Sequence, residues 1–155
     1  MAAASDSDTV ARVVVGVDGS ASSHRALEWA AFQAAVLDTS IEAVTAWQVP
    51  TDYGFSVSPQ WDPAVDMRQV LMDSVRTVFG EEPPARLQLA VHEGGAARVL
   101  IDASRGAQLL VVGSRGHGGF TGLLLGSVSA SVAEHAHCPV LVVHGEQRPP
   151  SSPSH

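Results

Sequence analysis

Lysine is missing from this chain of 155 residues, and all nine of its basic residues are arginines. A phosphate loop of the type G-x-x-x-x-G-K-[ST], which depends on a lysine, is therefore excluded. Aromatic residues make up only 5% of the sequence, too few for a surface that stacks on nucleic-acid bases. The single cysteine, Cys138, excludes an internal disulfide and is typical of a reducing compartment.

Long apolar segments are missing as well. No run approaches the roughly 20 residues that a membrane-spanning helix needs, and the short acidic stretch 1–9 lacks the pattern of a signal peptide. The formal net charge is −7 and the pI is about 5.3. An acidic surface disfavours nucleic acid and anionic membranes as partners. These features together predict a cytoplasmic protein.

The chain does contain enough apolar material for one core. Apolar residues make up 45% of the sequence, mostly as alanine, valine and leucine, and the length suits a single domain. We expect this domain to span residues 10–145. The segments 1–9 and 146–155, the second of them rich in proline and serine, are expected to be disordered.

Apolar runs with strand character alternate with segments of helical periodicity. The predicted strands are 12–17, 41–49, 86–91, 108–112 and 139–143, and the predicted helices are 20–37, 62–80, 96–103 and 126–136. This order favours an α/β fold with a doubly wound, Rossmann-like parallel sheet and helices on both faces. In such a sheet the ligand lies beyond the carboxyl ends of the strands, where Asp18 and Gly113 are expected.

A glycine-rich stretch follows the fourth predicted strand. It consists of Gly113-Ser114-Arg115-Gly116, nine further residues, and then Gly126-Ser127 at the start of the last predicted helix. Glycines allow close approach of the backbone to a ligand, and the free N–H groups of a helix start favour a phosphate. Side chains add to this, because Ser127 and Ser129 offer hydroxyl groups and Arg115 and His117 offer positive charge. The alternative is a plain surface loop without a ligand.

The spacing Gly-x2-Gly-x9-Gly-Ser resembles the ATP-binding motif of the universal stress protein family. Residues 14–20 resemble the first strand and turn of that family, and residues 133–143 resemble its last helix and strand. The resemblance covers about residues 13–143. It implies a five-stranded parallel sheet of order 3-2-1-4-5 and a homodimer, and pairing of the exposed last strand, 139–143, would form that dimer.

The resemblance also implies ATP as the ligand, with Mg²⁺ or Mn²⁺, and a nucleotide-dependent role in stress response or signalling through an unidentified protein partner. Asp18 would contact the ribose or a phosphate-bound metal, and the backbone of Ala46 would bond the adenine edge. The expected cofactor-binding residues are Gly16, Val17, Asp18, Ala46, Val112, Gly113, Ser114, Arg115, Gly116, His117, Gly118, Gly119, Gly126, Ser127, Val128 and Ser129.

Other interpretations of these residues are open. Asp18 alternatively caps the first helix, and Gly16-x-x-Gly19 faintly resembles a dinucleotide fingerprint without its full spacing. His135, His137, Cys138 and His144 cluster in the sequence but fit no established zinc pattern. No catalytic residue is expected, and hydrolysis is expected to be slow at most. The alternatives are a nucleotide-free interaction module on the same fold and a weak ATPase or phosphoryl-transfer enzyme. We expect that a Cβ at Gly113 would obstruct the nucleotide.

Overall fold

The computed structural model describes residues 11–49, 61–115 and 125–150. Within these ranges the chain forms five strands and four helices in strict alternation. Their bounds are β1 Arg12–Gly16, α1 Ala21–Leu37, β2 Ser40–Trp47, α2 Pro63–Phe79, β3 Leu87–Glu93, α3 Ala96–Ala103, β4 Leu109–Gly113, α4 Ser127–His135 and β5 Val140–Val143. The predicted order of elements is confirmed.

The five strands form one parallel sheet in the order β3-β2-β1-β4-β5. Both the doubly wound fold class and the implied strand order are thereby confirmed. The central strand β1 carries three consecutive valines, Val13, Val14 and Val15, each with no exposed surface. A strand with no polar position is expected where helices cover both faces of a parallel sheet.

Alternate residues of β1 point to opposite faces of the sheet and so belong to two separate cores. Val13 and Val15 pack in the core covered by α1 and α2, together with Leu27 and Leu71. Val14 packs in the core covered by α3 and α4. Helices α1 and α2 therefore lie on one face of the sheet and α3 and α4 on the other, as a doubly wound fold requires.

Helix α1 begins after a serine cap and ends without the glycine that commonly closes a helix. The Ser20 side chain accepts a hydrogen bond from the Ser23 amide at 3.1 Å. At the other end Asp38 takes the left-handed conformation, with φ of 52°, and its N–H bonds the last turn. Aspartate is one of the few residues with a side chain that tolerates this conformation.

Helix α2 follows its sequence signals closely. Asp62 caps it by accepting from the Ala64 amide at 3.0 Å, Pro63 is the first residue, and Gly80 ends it. Strand β3 is the element whose limits differ most from the prediction, because it continues through His92 to Glu93. Pairing of β3 with β2 extends to Trp47, and this tertiary contact overrides the poor strand propensity of the two polar residues.

Several predictions lie outside the described residues: those for segments 1–9 and 151–155, and those for Gly116, His117, Gly118 and Gly119. The first part of the predicted tail is described, and there the Trp29 indole N–H donates to the Gln147 carbonyl at 2.8 Å. None of the helices found in the described ranges has the length and apolarity needed to cross a bilayer.

The two faces of α1 make a matched test of the fold. Leu27 is fully buried and Leu37, on the same helix, is 44% exposed. We expect Leu27→Ala to lower the free energy of unfolding by roughly 2 to 5 kcal/mol, because it leaves a cavity in the core. Leu37→Ala should change it by less than about 0.5 kcal/mol. Urea denaturation of both variants measures this, and equal losses would contradict the assigned burial.

Candidate functional site

The site lies at the carboxyl ends of two neighbouring strands of the sheet. The neighbouring strands β1 and β4 lead into helices on opposite faces, α1 with the first core and α4 with the second. The chain therefore leaves their carboxyl ends toward opposite faces of the sheet, and a crevice forms there, which is the usual ligand site of this architecture.

A pocket of about 740 Å³ occupies this crevice. It is lined by Gly16, Val17, Asp18, Ser23, Val44, Thr45, Ala46, Met67, Val70, Ala96, Leu100, Val112, Gly113, Arg115, Leu125, Gly126, Ser127, Val128, Ser129 and Ala130. The expected site residues that are described thus come together around one cavity, with the exception of Ser114. Ser114 is 5% exposed and lies behind the wall of the pocket.

One side of the pocket is apolar and includes residues that the sequence analysis missed. Leu100 of α3 lies against Gly16 at the end of β1, and Met67 and Val70 of α2 also line the pocket. Their spacing on α2 indicates only an apolar helix face. That this face reaches past the sheet to the pocket depends on how α2 packs, and no local pattern shows that.

Strand β2 offers backbone groups to the pocket at Ala46. The carbonyl of Val44 accepts from the Val17 amide at 2.9 Å, whereas the carbonyl of Trp47 accepts from Gly94 on the β3 side. Because backbone groups alternate along a strand, the N–H and C=O of Ala46 face the β1 side. Strand β1 has already ended at Gly16 there, so these groups are directed to the crevice.

Asp18 lines the pocket and is not the cap of helix α1. Its carboxylate accepts from the Ser20 amide at 2.9 Å, and its own amide donates to the Ser23 hydroxyl at 3.3 Å. The helix cap itself is Ser20. The turn therefore holds the Asp18 carboxylate at the rim of the pocket, which it lines.

Packing within the protein requires glycine at residue 113, apart from the effect on a nucleotide that was expected from the sequence. A Cβ built on it would lie 2.2 Å from the Ser22 hydroxyl oxygen and 2.8 Å from the backbone C and O of Ser22. The expectation that this Cβ would obstruct a nucleotide stays a prediction, and within the protein the group that it meets is helix α1. Gly113 permits close packing of α1 on the end of β4.

The polar end of the pocket is the start of helix α4. Its cap residue is Gly126, which has no side chain to bond the first turn. The amides of Ser127, Val128 and Ser129 precede the first intrahelical donor, that of Ala130, which bonds the Gly126 carbonyl at 2.9 Å. All three residues line the pocket, where the helix dipole favours negative charge.

The hydroxyl of Ser129 is directed to the protein itself. Ser129 is 3% exposed, and its oxygen lies 3.2 Å from the Ser114 carbonyl and 3.1 Å from the Gly126 carbonyl. The hydroxyl of Ser127 belongs to an exposed residue at the pocket. Of the two serine hydroxyls expected to face phosphates, that of Ser129 thus contacts protein carbonyls, and the role of Ser127 stays a prediction.

The histidines and the cysteine near the chain end lie away from this pocket. In the ranges that the structure describes, no three His, Cys, Asp or Glu side chains are grouped so as to hold a metal ion. Burial raises the pKa of the Cys138 thiol, and the Arg12 guanidinium opposes this effect in part. A raised pKa keeps the thiol protonated and weakens it as a metal ligand or nucleophile.

The fold and the crevice define a doubly wound α/β protein with a ligand pocket at its switch point. The sequence profile of the universal stress protein family matches residues 9–144. A universal stress protein of Mycolicibacterium smegmatis is 35% identical over 88% of this chain, and one of Mycobacterium tuberculosis is 38% identical over 85%. The chain belongs to the universal stress protein family.

The chain spans about half the length of these two curated relatives, 49% and 44% respectively. Among solved structures, a universal stress protein in complex with cAMP is 28% identical, with a TM-score of 0.68, covering 88% of this chain and 98% of that chain. A universal stress protein of Lactobacillus plantarum is 20% identical with a TM-score of 0.67, covering 86% and 97%. The second likeness concerns the fold alone.

The packing role of Gly113 is testable without any ligand. We expect Gly113→Ala to lower the free energy of unfolding by about 2 kcal/mol or more, since the new Cβ overlaps the backbone of Ser22. Gly95→Ala is the matched control, because its Cβ meets nothing closer than 4.0 Å and its φ of −64° suits alanine. The control should lose less than about 1 kcal/mol.

Chemical denaturation of the two purified variants provides the comparison. A Gly113→Ala variant as stable as the control would contradict the close approach of α1 to β4.

Proposed function

We propose that this protein binds ATP in the crevice between β1 and β4, with the phosphates at the start of α4. The observation that carries the proposal is that three helix-start amides, from Ser127 to Ser129, line the same pocket as a group of apolar side chains. Arg115 also lines this pocket, with its backbone beside Gly126. Amide donors, a helix dipole and a guanidinium together suit a polyphosphate.

The apolar end suits the adenine ring. Val44, Leu100 and Val112 form its walls on the sheet and α3, and Met67 lies on the α2 side. The backbone N–H and C=O of Ala46 would pair with the edge of the ring. A family member at 28% identity was solved in complex with cAMP, which supports an adenine nucleotide as the ligand class here.

Binding, with slow hydrolysis at most, is the proposed main activity. Within the described part of the pocket lining, the charged side chains are Asp18 and Arg115. Asp18 is held by the turn at 2.9 Å from the Ser20 amide, which suits a ribose hydroxyl or a nucleotide-bound Mg²⁺ or Mn²⁺ better than the activation of a water molecule. The nucleotide-free interaction module is the competing function.

The proposed physiological role is a nucleotide-dependent step in a stress response in the cytoplasm, sensed by a protein partner. A pocket lined by residues of all four described helices allows ligand binding to bias the positions of several helices at once.

We also propose a homodimer formed by pairing of β5 strands. β5 is an edge of the sheet, and the carbonyls of Pro139 and Val143 face β4. The backbone groups of Val140 and Val142 therefore face outward, available to a second copy.

Val142→Pro removes an outward N–H group while the ladder to β4 keeps its donors, and proline is tolerated at such an edge position. We expect the wild type to elute as a dimer and this variant as a monomer in size-exclusion chromatography with light scattering. A wild-type monomer, or a variant that stays dimeric, would contradict the proposed pairing.

Arg115 provides the test of the phosphate end. We expect Arg115→Ala to weaken binding of ATP with Mg²⁺ by about tenfold, since it removes a charge-assisted contact, and to leave adenosine binding within about twofold. Isothermal titration calorimetry with ATP, cAMP and adenosine measures both effects. Arg105→Ala is the control, because it removes the same charge from an exposed residue after α3, outside the pocket.

The relative affinities for these three ligands distinguish the candidate functions. Tighter binding of cAMP than of ATP would make a monophosphate the preferred ligand. No binding of any of the three by the wild-type protein would support the nucleotide-free interaction module.

A further inference from the structure

One carbonyl joins the two described ends of the glycine-rich stretch. The carbonyl oxygen of Ser114 accepts from the Gly126 amide at 2.7 Å and lies 3.2 Å from the Ser129 hydroxyl oxygen. The amide of Ser114 donates to the Val143 carbonyl at 2.9 Å. Ser114 is thus bonded both to the end of β5 and to the start of α4.

The Ser129 side chain is positioned to strengthen this junction. It is 3% exposed, so water does not compete for its hydroxyl group. A serine inside a helix commonly donates to the carbonyl of the preceding turn, here that of Gly126 at 3.1 Å. In this chain the same hydroxyl also reaches a carbonyl outside the helix, that of Ser114. This second contact is not explained by local helix geometry.

The consequence concerns the amides that face the pocket. The orientation of Ser127 and Val128 depends on where α4 begins relative to β4, and Ser114 is the residue that links these two elements. Donors that are already oriented bind a phosphate without an ordering cost, whereas a loosely held helix start must be ordered when the ligand binds.

We infer that the Ser129 hydroxyl is a positioning group for phosphate binding, acting through the Ser114 carbonyl and not by its own contact with the phosphate. This inference rests on the proposed function, since it concerns how the helix-start amides hold the phosphates. In this way the Ser129 hydroxyl would favour the binding of nucleotides over that of the nucleoside without contacting either ligand.

The test compares Ser129→Ala with Ser131→Ala. Ser131 lies on the same helix and outside the pocket lining, so the control makes the same chemical change away from Ser114. Binding of ATP with Mg²⁺ and of adenosine is measured for both variants and the wild type by calorimetry or competition, together with the thermal midpoint of the unliganded proteins. A purely structural role would weaken the binding of ATP and of adenosine equally, so comparing the two losses distinguishes a positioning role from a structural one.

We expect Ser129→Ala to weaken ATP binding about fivefold, the effect of one hydrogen bond, while adenosine binding and the control stay within about twofold. Unchanged ATP binding in Ser129→Ala would overturn the inference, and so would an equal loss for ATP and adenosine, which indicates general loosening of the fold. A wild-type protein that binds no ATP would overturn the proposed function, and the inference with it. Wild-type binding with an unaffected Ser129→Ala variant would overturn the inference alone.

Discussion

Helix α1 approaches the end of β4 so closely that the backbone of Ser22 occupies the space where a side chain at residue 113 would begin. Only glycine permits this contact, and the rest of the site depends on it. The Arg115 amide donates to the Ser22 hydroxyl at 3.3 Å, so the chain leaving β4 is held against the start of α1. The turn after β1, which carries Asp18, and the stretch after β4, which carries Arg115, therefore stand at fixed separation across the crevice.

Different secondary-structure elements supply the apolar and the polar parts of the crevice. Strand ends and helix faces supply the apolar side, with Val112 on β4 and Leu100 on α3 as examples. Helix starts supply the polar side, but the first amides of the different helices are not equally available to a ligand. The start of α1 is satisfied internally by the Ser20 side chain, whereas α4 begins at a glycine and keeps its first amides for the pocket. An overall charge of −7 does not argue against the proposed binding of an anion, because the local dipole and guanidinium act within a few ångströms and the surface charge is screened by salt.

Much of the fold and part of the site could be predicted from particular residues. The three buried valines of β1 and the Asp62-Pro63 start of α2 are strong local signals, and the structure bears them out. The glycine spacing and the flanking segments indicated the family, to which the chain does belong. The ends of β3 were not predictable in this way, because pairing with β2 and not local propensity sets them.

The sequence by itself determined the order of elements, the two-sided burial of the sheet and the residues that follow β1 and β4, since periodicity and turn chemistry act over a few neighbouring residues. Only the tertiary structure decided that Gly113 serves the packing of α1, that Ser129 reaches the Ser114 carbonyl, and that Met67 and Val70 line the pocket. Each of these depends on a distance between elements far apart in the chain. Such distances follow from how whole helices pack on the sheet, which no stretch of neighbouring residues encodes.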